Sequence, residues 1–114
     1  MDAFEIALET IKKEYPVRRV NDKYAQIELD ILFDDYNYIF IGVLYEKGQV
    51  ILTDMADYAP LCDWEDEDIP GVSKICQKYG ITIINYHIEC LYHSNKDVKN
   101  YLDCLLALKR KYVK

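Results

Sequence analysis

Near residue 25 the spacing of apolar residues switches from helical to alternating, and few folds accommodate that switch in 114 residues. Before it, Phe4, Ala7, Leu8, Ile11 and Tyr15 recur at three- and four-residue intervals, the stripe of an amphipathic helix. Asp2 is placed to cap that helix, and Pro16 to end it. After the switch, Ile27, Leu29, Ile31 and Phe33 alternate with Gln26, Glu28 and Asp30, which predicts a strand with one buried and one wet face. Asp34-Asp35 makes a turn. Residues 36–45 are apolar at both parities and rich in aromatic and β-branched side chains, as suits a central strand. Glu46-Lys47-Gly48-Gln49 closes a hairpin and Val50–Thr53 pairs back, completing an antiparallel meander.

The second half reads as helix, helix, hairpin, helix. Asp54 caps a short helical turn over residues 55–61. A charged loop ends at Asp68, which is placed to cap a helix through Val72, Ile75, Cys76 and Tyr79, with Pro70 in its first turn and Gly80 as a left-handed stop. Residues 81–84 and 88–92 form two strands around a turn at Asn85-Tyr86. Ser94 and Asp97 have the spacing of a capping box and open a last helix, whose stripe is Val98, Tyr101, Leu102, Leu105, Leu108 and Tyr112. The order α-β-β-β-α-α-β-β-α predicts an α+β fold: an antiparallel sheet of about five strands, helices mostly on one face, in a single domain over residues 1–114.

Charge narrows the function. Twenty acidic against fourteen basic residues give a net charge of −6, which disfavours a phosphate-binding surface and direct contact with nucleic acid. Lys109, Arg110, Lys111 and Lys114 crowd the end of the last helix, where the helix dipole favours them. No apolar run approaches the roughly 20 residues that span a bilayer, so no membrane contact is expected. The acidic start Met1–Glu5 has no basic, then apolar, signal pattern, and the expected compartment is the cytoplasm. There Cys62, Cys76, Cys90 and Cys104 are expected as reduced thiols packed in the core.

Chemistry finds little purchase. His87, Cys90 and His93 lie within seven residues, but on an extended strand the two imidazoles are about 20 Å apart and Cys90 faces the other way, so no metal or other cofactor is expected. Glu28 and Asp30 share a strand face, and a divalent-metal-dependent hydrolase or nuclease built on them is an alternative reading; it needs further acids converging on the same point. No Gly-rich phosphate loop and no Gly-x-Ser-x-Gly element occurs.

One segment stands out. From Asp54 to Asp68 there are seven acids and no base, with Trp64 inside the densest run. A tryptophan set among acids is costly to leave in water and is a favoured interface anchor. Asp63, Trp64, Glu65, Asp66, Glu67 and Asp68, with Tyr58 nearby, therefore form the expected binding surface of a non-enzymatic module that contacts a protein partner. Such a strip suits a basic partner, including a nucleic-acid-binding protein, because matching charge speeds and selects association. Tyr36 and Tyr38 extend the aromatic content. A homodimeric, chaperone-like protein is the remaining alternative.

Val50-Ile51-Leu52-Thr53-Asp54 closing the hairpin, the helix ending Lys78-Tyr79-Gly80-Ile81, the small hairpin and the terminal helix together resemble a family of uncharacterised domains from Gram-positive bacteria and their phages. The family carries a Leu-Thr-Asp after its central hairpin, and the resemblance spans roughly residues 25–112. It implies a small bacterial or phage accessory protein with no known reaction; within the protein-binding reading, a regulator or inhibitor is expected. Where the family has Asp-Gly after that Asp, this chain has Met55-Ala56. The element order is also similar to that of type III secretion chaperones, which are small, acidic and dimeric; fold alone does not transfer their function.

Overall fold

The computed structural model describes residues 1–113 as one antiparallel sheet backed by helices. Helix α1 (Ala3–Lys12) begins at Asp2, whose carboxylate accepts the Glu5 N–H at 2.9 Å, and buries Phe4, Ala7, Leu8 and Ile11. Strands β1 (Val17–Arg19), β2 (Tyr24–Leu32), β3 (Tyr38–Glu46) and β4 (Gln49–Thr53) follow, then helices α2 (Tyr58–Cys62) and α3 (Ile69–Gln77). Strands β5 (Thr82–Ile84) and β6 (His87–Leu91) and helix α4 (Asn95–Tyr112) complete the chain. The sheet order is β1-β2-β3-β4-β6-β5, with every neighbouring pair antiparallel. Among the described residues no helix is long and apolar enough to cross a membrane.

The sheet has six strands rather than five. The extra one, β1, is a three-residue edge paired with Ala25–Ile27, and its two arginines carry no apolar alternation to betray it. The alternation expected through Phe33 holds only as far as Leu29. An irregularity between Glu28 and Leu32 shifts the register against β3, so Ile31 turns outward while Phe33 is fully buried beyond the strand.

The two sheet faces differ sharply. Ala25, Ile27, Ile39, Ile41, Val43, Leu52 and Ile88 are fully buried, under α1, α3 and α4. The turns at Lys47-Gly48 and Asn85-Tyr86 hold both central residues at positive φ, the geometry that matches strand twist in two-residue hairpins. Ser94 and Asp97 form the expected capping box at the start of α4.

Candidate functional site

The acidic segment is built around a turn. Helix α2 ends at Asp63, which adopts a left-handed φ of 53° and lets the Trp64 N–H donate to the Ala59 carbonyl at 3.1 Å. The chain then runs outward into a single 3-10 turn, Asp66–Asp68, that leads directly into α3. Asp68 is the N-cap of α3 but makes no side-chain cap bond there, and the capping box belongs to Glu65. Its side chain accepts from the Asp68 N–H, and the Asp68 carboxylate accepts from the Glu65 N–H at 2.9 Å. Asp66 accepts a hydrogen bond from the Tyr86 hydroxyl, tying the arch to the β5–β6 turn. That bond raises the Tyr86 pKa, because the phenol proton is held by a carboxylate.

Trp64 and Tyr58 are not surface contacts. Trp64 is 7% exposed, lies edge-on to Tyr112 with ring centroids 5.8 Å apart, and among the described residues its buried Nε1 has no hydrogen-bond acceptor. Packing against α4 removes more apolar ring from water than an outward pose would, so the indole roots the loop instead of facing a partner. Tyr58 is fully buried between Phe33 and Phe40. Its hydroxyl accepts from the Phe40 N–H at 3.0 Å and donates to the Phe40 carbonyl at 2.8 Å. β3 extends past the end of β4 at this point, and the phenol takes over the pairing that a β4 residue would have made. The local excess of acids suggested a surface; neither ring's distant partners are visible in that window.

What reaches solvent is a set of carboxylates. Asp63, Glu65, Asp66 and Glu67 are exposed and Asp68 is half-buried. Among the described residues none of these five forms an ion pair. Among the described residues the arrangement is an acidic arch without ion pairs, held from beneath by Trp64 and from the side by Tyr86. Tyr36 and Tyr38 are exposed in and after the β2–β3 turn.

Asp54 is not the N-cap of α2, a position that Asp57 holds. It is fully buried, and its carboxylate accepts from the N–H groups of Ile88 at 2.8 Å, Ala56 at 2.9 Å and Tyr58 at 3.3 Å. Burial raises its pKa against the opposing pull of those three donors.

The other candidate groups stay apart. Glu28 is engaged by the Arg18 guanidinium, which also donates to Gln26 at 2.9 Å, and Asp30 is exposed beyond it. Among the described residues no group of three His, Cys, Asp or Glu side chains could hold a metal ion. His87 Nδ1 lies 3.7 Å from Glu89, while His93 sits in the loop before α4. Cys62 and Cys90 have thiols pushed up to about 12, chiefly by burial and then by neighbouring acids. Cys104 donates to Cys76 across 3.8 Å in the core, and this bond with burial raises its pKa as well. Comparison with family models, curated proteins and solved structures found no match to this chain.

Proposed function

We propose that this chain is a non-enzymatic protein-binding module whose acidic arch, Asp63 and Glu65–Asp68, contacts a basic surface on a protein partner. The supporting observation is the set of five carboxylates without ion partners among the described residues, on a loop anchored by a buried tryptophan. Acids that pair at home gain little from a partner; acids already ordered and unpaired lose little entropy on binding and attract cations over about 8 Å at physiological salt. A nucleic-acid-binding protein fits best, because its phosphate-gripping surface is a ready-made array of Lys and Arg. Within that class the reading is a small regulator or inhibitor, the kind of accessory protein that the sequence resemblance to small bacterial and phage domains would suit.

The test avoids Trp64, since truncating it would disturb the fold. Tagged wild-type protein and a Glu65→Gln, Asp66→Asn, Glu67→Gln variant serve as baits in bacterial lysate, with bound proteins identified by mass spectrometry. The expected result is a basic partner that wild type captures, that raised salt releases and that the neutralised variant fails to hold. Capture that is equal for both baits and indifferent to salt would overturn the reading.

A further inference from the structure

Among the described residues the helices bury one face of the sheet, and register organises the half-buried and exposed residues of the other, with Gly42 and Thr53 buried among them, into rows. One row crosses four strands as Tyr24, Leu44, Ile51 and Leu91. The next runs Arg18, Gln26, Gly42, Thr53, Glu89 and Thr82 across all six. A third sets Glu28 beside Phe40 at one side and His87 beside Ile84 at the other. The first row is apolar, with Leu91 41% exposed. Met55, 43% exposed, lines the same shallow depression as Tyr24 and Leu44.

We propose that two copies of this chain pack face to face through this surface, about a dyad that runs parallel to the strands between β3 and β4. The layout of charge and polarity selects both the occupant and the axis. Such a dyad keeps each row at its own level and exchanges β3 with β4 and β2 with β6. Leu44 then meets the partner's Ile51, and Tyr24 meets the partner's Leu91. Glu28 meets the partner's His87, and Gln26 meets the partner's Glu89 with Arg18 one strand away. Apolar faces apolar, and in these rows no acid faces an acid.

A dyad perpendicular to the strands fails the same check. It sets Arg18 over the partner's Arg18, Glu89 over the partner's Glu89, and Leu91 over the partner's His87. Like charges in direct opposition disfavour an interface, so the parallel axis is selected. Two sheets packed in this way lie about 10 Å apart with strands rotated by about 30°, which a twisted antiparallel face accommodates. The acidic arch plays no part, so most of the chain's −6 charge stays off the interface.

Light scattering on the eluting full-length protein reads the mass directly. The expected value is twice the 13.5 kDa chain mass, returning to a single chain in Ile51→Lys and in Leu44→Lys, with far-ultraviolet circular dichroism and cooperative melting unchanged. The axis has its own test in a Glu28→Cys, His87→Cys double variant treated with a short bismaleimide, because facing backbones about 10 Å apart lie beyond the reach of a disulfide. Within one chain these positions lie three strands apart, roughly 14 Å, and a bridge there would leave the mass of a single chain. Across the dyad they face each other, so a covalent dimer that identically treated wild type does not form is expected on a denaturing gel. A single-chain mass at high micromolar concentration overturns the proposal, as does a dimer that Ile51→Lys leaves intact. Absence of the cross-linked band overturns the axis.

Discussion

The Asp54 N–H donates to the Ile88 carbonyl at 3.3 Å while its carboxylate takes the Ile88 N–H, so the β4–β6 pairing continues one residue past Thr53 through a side chain. The same carboxylate gathers the N–H groups of Ala56 and Tyr58, which turns the chain into α2. That geometry forces Met55 and Ala56 to left-handed φ values of 53° and 64° in succession. A side chain at such a position costs about 1–2 kcal/mol that glycine escapes. Ala56→Gly is expected to raise stability by about 1 kcal/mol, offset in part by glycine's greater freedom when unfolded, and to shift the urea midpoint at constant slope. A lowered midpoint would mean that residue 56 is not held left-handed. Tyr58→Phe works in the opposite direction, stranding the Phe40 N–H and carbonyl at a cost of about 1–3 kcal/mol.

Between elements, close approach matters more than propensity. Gly42 sits on the sheet face opposite the helices, beneath the Tyr24 ring, where an added Cβ would meet the Thr53 carbonyl at 2.7 Å and the Tyr24 hydroxyl at 2.9 Å. The first contact is backbone and cannot yield, so Gly42→Ala is expected to cost about 1–3 kcal/mol by thermal melting. A melting temperature equal to wild type would show that β3 and β4 are not so tightly apposed. Gly42 was legible only as a glycine in an apolar run, because its neighbours come from two other strands. By contrast the turns at Lys47-Gly48 and Asn85-Tyr86, the Asp2 cap and the Ser94–Asp97 box were all readable, since each is settled within four residues. β1 escaped notice because three residues with two arginines make no pattern until β2 lies beside them. The acidic arch was visible as composition, but the inward turn of Trp64 depends on Tyr112 from the last helix, which no local window contains.

At the scale of the molecule, the carboxylates other than Asp54 lie at or near the surface, while thiols and phenols lie within. Cys62 and Cys90 have thiols raised to about 12, and burial raises the phenols of Tyr58 and Tyr101 too. Each of these groups loses its proton more readily in the unfolded chain, where a thiol has an ordinary value of 9.0 and a phenol 10.0. Their contribution to stability is therefore complete below pH 9.0 and is lost as pH rises toward the folded values. Each group that ionises only on unfolding adds a slope of about 1.4 kcal/mol per pH unit in that window. Melting temperature is expected to fall progressively steeply above pH 9, as first the thiols and then the phenols enter this regime. Tyrosinate absorbance from the two buried phenols should appear together with loss of the folded circular dichroism signal, not before it. If those phenols ionise while the sheet signal persists, Tyr58 does not seal the end of β3 and Tyr101 does not hold the Ile88 carbonyl.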